Sequence, residues 1–365
     1  MVMRIGIPKE IMNMEGRVAL SPLGAGTLVA DGHEVIVQAG AGENSSFTDA
    51  EYEATGARVV ASAEEAWGAE MVLKVKEPLP EEYGFLRPDL ILFTYLHLAS
   101  SRECTKALLD AGTLSLAYET VLDARGGLPL LTPMSQVAGR LAVQEGAHHL
   151  MSSKGGRGVL LGGVPGTAPA KVVVLGGGQV GASAVAIAQG LRASVTVLDL
   201  DPQVLARFDD LYQGNVRTLL SDPMTIETEL LDADLVIGAV LVAGAKAPTL
   251  VSDDLVARMK QGAVLVDVAI DQGGCFEPSR KTSHEDPTYE VHGTRFYCVP
   301  NMPGAVANTS TRALTSATLP YVRAIAAGGV DRAVDNHPGL EPGIMTCDGR
   351  LISEPVKEAF PDLLG

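Results

Sequence analysis

Residues 172–188 read VVVLGGGQVGASAVAIA, and this stretch decides the fold of the 365-residue chain. An apolar run typical of a buried strand leads into Gly176-x-Gly178-x-x-Gly181, and a helical pattern follows it. In such a unit the first glycine permits the tight turn, the second lets a pyrophosphate approach the main chain, and the third lets the helix pack closely on the strand. The start of the helix then offers unpaired N–H groups and a partial positive charge to the phosphates.

A second apolar strand, SVTVLDL, ends in Asp199, 18 residues after Gly181. A carboxylate at this position can accept hydrogen bonds from both hydroxyls of an adenosine ribose, and it would repel a 2′-phosphate, which favours NAD over NADP. FAD-binding proteins share the glycine pattern, and a glycine-rich turn that binds nothing is the other alternative. Because strand, turn, helix, second strand and acid agree, we interpret the segment as an NAD site.

Short Val/Ile/Leu-rich strands alternate with helical patterns over residues 3–118, and again from about residue 170. This alternation is typical of βαβ units and predicts an α/β fold with two Rossmann-like, doubly wound parallel-sheet domains separated by a cleft. Helical patterns over 134–151 and 305–326 could carry the chain from the first domain to the second and back to the first. We therefore expect a discontinuous substrate domain of residues 1–133 plus 305–365, and an NAD-binding domain of residues 134–304.

The composition excludes several classes of function. With 28 Lys and Arg against 44 Asp and Glu, the net charge is −16, which argues against nucleic acid or an anionic membrane as a partner. No apolar run reaches the roughly 18 residues of a membrane span, and the start of the chain lacks the apolar core of a secretory signal. The four cysteines have no paired spacing, so we expect plain thiols and a cytoplasmic protein. No residue cluster has metal-ligand spacing, and we predict no metal.

Three cationic side chains follow predicted strands of the first half. Lys76 closes the strand MVLKVK, His97 follows the strand LILFTYL, and Arg17 lies in the loop after the first strand. If the sheet is parallel, these groups share one edge, which would then be cationic and suited to a small carboxylate. His97 can also exchange protons near neutral pH. The alternatives are a solvated arginine, an edge lysine and a core histidine; Lys74 lies on the same face as Lys76, and only the strand-end position favours Lys76.

Polar residues also follow the strands of the second half. Asp267 lies in the predicted strand VLVDV with Asp271 just after it, and Asn301 and Met302 follow the strand FYCV. Ligands of open α/β sheets bind outside the carboxyl ends of the strands, so these positions suit a bound cofactor. The alternatives are a loop anchor for Asp267 and a helix cap for Asp271. Ser135, at the start of a predicted helix, looks like an N-cap.

Longer strings carry a resemblance to a known family: RIGIPKE, GRVALSP, LKVKEP, LFTYLHLA, PMSQVAGRLAVQ, DLVIGAVLVAGAKAP, VDVAIDQGGCFE and YCVPNMPGAV. From residue 3 to about residue 330 the chain resembles the alanine dehydrogenases, and the tail resembles them only loosely. The NAD-binding subunit of proton-translocating transhydrogenase, the saccharopine-type reductases and carboxyethylornithine synthase share parts of the pattern. His97 in LHLA and Asp271 in VAIDQGG favour the dehydrogenase over the transhydrogenase subunit.

The resemblance implies NAD-dependent, reversible oxidative deamination of L-alanine to pyruvate and ammonium, carried out by a homohexamer. It implies that Arg17 and Lys76 bind the substrate, and that His97 and Asp271 are catalytic. The implied contacts to the dinucleotide are Ser135, Gly176, Gly178, Gly181, Asp199, Ser221, Leu241, Val242, Asn301 and Met302. The alternatives are an NAD(H)-binding module that acts through a partner subunit, and a dehydrogenase of the same fold for glycine or another small amino acid.

One departure from the family pattern concerns the adenosine end of the cofactor. The family often has a basic residue a few positions after the ribose aspartate. Here the segment reads DLDPQVLAR, with Pro202 in that region and no basic residue before Arg207.

Overall fold

The computed structural model describes residues 2–240 and 247–363. The chain forms two compact units, Met1–Met134 with Gly304–Gly365, and Ser135–Pro303. Among the described residues, every helix is too short or too polar to cross a lipid bilayer.

The elements up to the second unit are β1 (Arg4–Ile7), α1 (Pro22–Ala30), β2 (Glu34–Gln38), α2 (Asp49–Ala54), β3 (Arg58–Val60), α3 (Ala63–Trp67), β4 (Met71–Leu73), β5 (Ile91–Thr94), α4 (Arg102–Ala111), β6 (Leu114–Ala117) and α5 (Thr132–His149). The later elements are β7 (Lys171–Leu175), α6 (Gln179–Gly190), β8 (Ser194–Asp199), α7 (Pro202–Tyr212), β9 (Val216–Leu220), α8 (Pro223–Leu230), β10 (Leu235–Gly238), α9 (Asp253–Ala257), β11 (Val264–Asp267), β12 (Thr288–Val291), β13 (Thr294–Tyr297), α10 (Ala307–Asn336), β14 (Ile344–Cys347), β15 (Arg350–Leu351) and α11 (Glu354–Ala359).

The first unit is built on an eight-stranded sheet in the order β15-β14-β6-β5-β4-β1-β2-β3. Strands β1 to β6 run parallel, and the direction of winding reverses between β1 and β4. The C-terminal part of the chain completes the sheet, because β14 pairs antiparallel with β6. A ligand of such a sheet binds at the carboxyl ends of the strands beside the reversal point, where the loops after β1 and β4 emerge.

The second unit is built on a seven-stranded sheet in the order β12-β13-β11-β10-β7-β8-β9. All its neighbouring strands are parallel except the hairpin of β12 and β13, and the winding reverses between β7 and β10. The predicted α/β class with two Rossmann-like sheets is therefore confirmed. The glycine turn between β7 and α6 lies at the reversal point, where dinucleotides bind in folds of this kind.

Buried aliphatic strands account for the parallel arrangement in both units. Val172, Val173 and Val174 of β7 are each 0% exposed, as expected for a central strand covered on both faces. Helix α2 begins with a capping box, in which the Thr48 side chain accepts from the Glu51 N–H while the Glu51 carboxylate accepts from the Thr48 N–H.

Several predicted bounds are wrong in ways that matter for the site. Strand β4 ends at Leu73 and β5 ends at Thr94, so Lys76 and His97 lie in loops beyond the strands rather than at their last positions. Helix α5 begins at Thr132, so Ser135 lies inside its first turn and is not its N-cap.

We expect Gly181→Ala to destabilise the second unit, because a Cβ at this position would lie 1.8 Å from the carbonyl oxygen of Gly176. Relieving such an overlap costs about 1–3 kcal/mol of unfolding free energy. Gly190→Ala in the same helix is the matched control, since a Cβ there meets no atom within 4 Å, and it should be neutral or stabilise by up to about 1 kcal/mol. Urea unfolding of both variants measures the difference; equal stabilities would contradict the close-packing role of Gly181.

Candidate functional site

The glycine turn has the geometry that its sequence predicts. Gly176 has a φ of 95°, in the left-handed region that favours glycine. Gly181 lies so close to the carbonyl of Gly176 that a side chain would not fit. A Cβ on Gly178, by contrast, would meet no atom of the protein within 4 Å. Protein packing therefore does not account for this glycine, and the space beside it is open to a ligand that approaches the main chain.

Asp199 at the end of β8 is tied to the glycine turn. Its Oδ2 accepts from the Gly177 N–H at 2.6 Å, and its Oδ1 accepts from the Asp201 N–H at 2.9 Å. The guanidinium of Arg207 donates to the Gly177 carbonyl at 3.0 Å. Helix α7 therefore places a basic side chain at the glycine turn, although in the sequence Arg207 lies farther from Asp199 than the basic residue of the family pattern.

Ser221 and Ser135 each lie on an element that neighbours the β7–α6–β8 unit. Ser221 follows β9, and its N–H donates to the main-chain carbonyl of Asp199 at 2.9 Å. Ser135 lies one turn before Gly139 on α5. A Cβ on Gly139 would lie 2.1 Å from the Val180 carbonyl, so α5 packs directly on the first turn of α6. Leu241 and Val242, predicted as dinucleotide contacts, lie outside the described residues.

Asp271 and Asn301 meet at the carboxyl ends of β11 and β13. The Asn301 N–H donates to Asp271 Oδ2 at 3.5 Å, and Asn301 has a left-handed φ of 56°. Asp271 is exposed in the turn Val268–Gln272. Met302 comes next in the chain and is 3% exposed.

Asp267 anchors the turn that carries Asp271, which confirms the loop-anchor interpretation. It is fully buried and accepts from the main-chain N–H groups of Ala269 and Cys275 at 3.1 and 3.0 Å, and from the Ser279 hydroxyl at 2.5 Å. Burial raises the pKa of Asp267, and these hydrogen bonds act against that rise by stabilising the charged form.

Arg17 in the first unit is a buried cation with a built-in counter-ion. Its side chain is 3% exposed, and its Nε donates to Glu15 Oε1 at 2.7 Å while its Nη2 donates to Glu15 Oε2 at 2.5 Å. Burial opposes the charge, but Glu15 keeps the pKa of Arg17 above its ordinary value. The opposite edge of the guanidinium carries Nη1, which lies 3.2 Å from the Met134 sulfur.

The two lysines after β4 have different surroundings. Lys74 is 1% exposed, and its ammonium lies 2.9 Å from both Glu10 and Glu82. Lys76 is half-buried, and the described part of the chain provides no ion pair for its Nζ. The sequence favoured Lys76 over Lys74 as the substrate-binding lysine because β4 was expected to end at Lys76. Strand β4 is shorter than that, but Lys74 is paired with two carboxylates, and this pairing also favours Lys76.

His97 is held at the end of β5 in an unusual backbone conformation. Its φ of 47° and ψ of 37° are left-handed, which costs a non-glycine residue roughly 1–2 kcal/mol. The Glu119 carboxylate stabilises this turn by accepting from the Leu96 N–H at 3.2 Å and from the His97 N–H at 2.6 Å. The imidazole is 46% exposed, and its Nδ1 lies 3.8 Å from Glu77 Oε2.

Two glutamates adjust the proton affinity of this imidazole. Desolvation opposes its positive charge, but the neighbouring Glu77 and Glu119 carboxylates outweigh desolvation and raise the pKa of His97. Lys76 acts in the opposite direction on the same ring. The pKa of Glu77 is lowered: burial raises it, and the contact with His97 and the charge of Lys76 outweigh that effect. Lys76, Glu77 and His97 therefore form one electrostatic group.

The structure places carboxylates beside the cations of the edge that the sequence predicted to be cationic. Arg17, Lys74 and His97 each lie beside carboxylates, because an unpaired charge is costly to remove from water. Sequence reasoning missed these acids, although each follows β1, β4 or β6 closely in strings such as PKE, VKEP and YET. They are Glu10, Glu15, Glu77, Glu82 and Glu119. In the described ranges, no group of His, Cys, Asp or Glu is arranged to hold a metal ion.

The sheets and the turn define an α/β protein of the Rossmann type, with a dinucleotide turn at the reversal point of its second sheet. Two family models match the chain: "Alanine dehydrogenase/PNT, N-terminal domain" over residues 6–138, and "Alanine dehydrogenase/PNT, C-terminal domain" over residues 142–354. The chain belongs to the alanine dehydrogenase/PNT family.

Similar proteins cover nearly the whole chain. A protein of Mycobacterium tuberculosis named alanine dehydrogenase is 57% identical over 97% of this chain and 96% of its own length. Its counterpart from Halomonas elongata is 55% identical over 98% and 97%. A solved L-alanine dehydrogenase has a TM-score of 0.96 at 52% identity, covering 99% of this chain and 100% of that one. A transhydrogenase structure from Sinorhizobium meliloti has a TM-score of 0.83 at 26% identity, with 96% and 99% coverage.

We expect Glu77→Gln to lower the pKa of His97, because the substitution removes a neighbouring negative charge and leaves the opposing effects of burial and Lys76. In the parent protein, protonation of His97 stabilises the fold below the ordinary pKa of 6.5, and this contribution disappears as the pH rises through the raised value. An NMR titration of the histidine ring measures the shift. Glu64→Gln, at an exposed position on α3, is the control; an unchanged His97 titration in Glu77→Gln would contradict the assignment.

Proposed function

We propose that the chain is an NAD-dependent L-alanine dehydrogenase, which converts L-alanine, NAD⁺ and water to pyruvate, ammonium, NADH and a proton. The observation that carries the proposal is the 52–57% identity to proteins named alanine dehydrogenase over at least 97% of the chain. The matched stretch of at least 97% of the chain spans the positions of Arg17, Lys76, His97 and Asp271.

The second unit would bind the dinucleotide. The open space beside Gly178 and the uncapped start of α6 suit a pyrophosphate. The Asp199 carboxylate suits the ribose hydroxyls of NAD rather than the phosphate of NADP. When bound, NAD supplies the hydride acceptor for the alanine Cα. Ser135, Ser221, Leu241, Val242, Asn301 and Met302 are the further proposed contacts.

The first unit would act as the substrate domain, in which Arg17 and Lys76 bind the alanine carboxylate. The Arg17 guanidinium binds Glu15 through Nε and Nη2. A guanidinium can hold two carboxylates on its two edges because it has five N–H donors. Lys76 would add a point charge that also polarises the pyruvate carbonyl in the reverse reaction.

His97 and Asp271 would move the protons. Loss of hydride from the neutral amine leaves an iminium ion, to which water adds, and ammonia departs after proton transfers at oxygen and nitrogen. His97 would accept the proton of the attacking water and return it to the leaving nitrogen. An imidazole suits this exchange, because the ordinary pKa of histidine, 6.5, lies near neutral pH. Asp271 is the second residue that we propose to take part in these proton transfers.

The direct test is an assay of the purified full chain with L-alanine and NAD. Steady formation of NADH, followed by its absorbance, is the expected result. Binding of NAD without turnover would overturn the proposal in favour of a binding subunit of the transhydrogenase type. Faster turnover with glycine or another small amino acid in a substrate panel would replace alanine as the substrate.

His97→Ala and Asp271→Asn should each lower kcat by about 10²–10⁴-fold, the range typical for removal of a general acid or base. The affinity for NADH should change little, because neither side chain belongs to the glycine turn. Stopped-flow turnover and NADH fluorescence titration measure the two quantities. Near parental turnover in either variant would remove that residue from the mechanism.

We also propose a cytoplasmic homohexamer. The family resemblance supports the homohexamer. The cytoplasmic location is supported by four free thiols, those of Cys104, Cys275, Cys298 and Cys347. Free thiols are typical of proteins from reducing compartments.

A further inference from the structure

Three buried charges lie directly beneath the loop that carries Lys76 and Glu77. The Lys74 ammonium lies 2.9 Å from Glu10 Oε2 and 2.9 Å from Glu82 Oε1. The side chains of Lys74, Glu10 and Glu82 are 0%, 3% and 5% exposed. We call this group the Lys74 cluster. It lies beside the reversal point of the first sheet, because Glu10 follows β1 and Lys74 follows β4.

The second oxygen of each carboxylate in the Lys74 cluster binds the main chain. Glu10 Oε1 accepts from the Val75 N–H at 2.6 Å and from the Lys76 N–H at 3.4 Å. Glu82 Oε2 accepts from the Leu79 N–H at 2.9 Å. One ammonium therefore pairs with two carboxylates, and these carboxylates bind the main chain at both ends of the loop 75–79.

The loop held in this way carries the groups proposed to meet the substrate. Lys76 lies at its start, and its carbonyl accepts from the Thr94 hydroxyl at 2.9 Å. Glu77 is the next residue and faces the His97 imidazole. A shift of the main chain at these residues would move the Lys76 ammonium and the carboxylate that adjusts His97 together.

The Lys74 cluster is an unusual way to obtain stability. Removing three charges from water opposes folding, and apolar residues of similar volume often stabilise a fold as well or better. Burial raises the pKa of Glu10, and the charge of Lys74 acts against that rise. Apolar residues could not accept hydrogen bonds from the three N–H groups of this loop. The Lys74 cluster therefore serves to fix the position of the loop rather than to stabilise the fold.

We propose that Lys74, Glu10 and Glu82 are positioning residues, which fix the loop 75–79 so that Lys76 meets the substrate and Glu77 meets His97. The proposal rests on the proposed function for the roles of Lys76 and His97. The cluster touches no reacting atom and acts only through the main chain that it holds.

The test compares Glu82→Gln with Glu81→Gln. Glu81 precedes Glu82 in the same short 3-10 helix, and its side chain is exposed. In Glu82→Gln a single amide oxygen cannot serve both the Lys74 ammonium and the Leu79 N–H, because the other terminal atom is now a donor. Displacements near 1 Å cost up to about 10²-fold in rate, so we expect kcat/KM for L-alanine to fall about 10- to 100-fold. Most of the fall should come from KM.

Three further readouts separate positioning from general destabilisation. The KM for NAD should stay within about twofold of the parent, because the substitution leaves the glycine turn untouched. Hydrogen exchange of the Leu79 amide should accelerate, and the His97 titration should shift. Glu81→Gln should match the parent in all of these. If Glu82→Gln does not fold, Glu10→Gln tests the other end of the loop, with Val75 and Lys76 as the reporting amides.

The outcomes distinguish this proposal from the proposed function. Faster exchange at Leu79 with an unchanged kcat/KM would overturn the positioning role and leave a purely structural cluster. An equal rise of KM for alanine and NAD would overturn it as well. Lys76→Ala and His97→Ala are assayed in parallel. Parental turnover in both would remove these residues from the mechanism, and absence of NADH formation by the parent would overturn the proposed function, whereas the hydrogen-exchange result would still report whether the cluster fixes the loop.

Discussion

Carboxylates that accept main-chain N–H groups fix the loops at the strand ends of both units. Glu119 holds the turn at His97, Asp199 holds the glycine turn, and Asp267 holds the turn with Asp271. A charge-assisted bond of this kind is stronger than one between neutral groups. His97 and Asp271 lie in two of these loops, so their positions depend on Glu119 and Asp267, which are not proposed to touch either ligand.

The sequence was sufficient to predict the framework. Apolar runs with clear turn signals predicted the alternation of strands and helices in both units, and glycine spacing identified the dinucleotide turn. Each of these signals is local: a buried parallel strand must be apolar along its whole length, and a left-handed turn needs glycine. The family resemblance then supplied roles that spacing alone left open.

The parts that could not be predicted depend on contacts between distant residues. Lys74 and Lys76 share a face only while the strand continues, and β4 ends at Leu73, so the period of two no longer applied to them. Glu10 and Glu82 look like solvated acids in the sequence. Their burial becomes visible only when the loops after β1 and β4 meet around Lys74. Strand β14 escaped prediction because it is short and only partly apolar.

The pairing of β14 with β6 has a consequence for the order in which the units form during synthesis. The second unit is one continuous segment, Ser135–Pro303, whereas the first needs Gly304–Gly365 to complete its sheet. Domains generally fold as units while the chain leaves the ribosome. The N-terminal strands therefore leave the ribosome first, but their sheet is complete only after β14 has been synthesised. The second unit can reach its native state before the first.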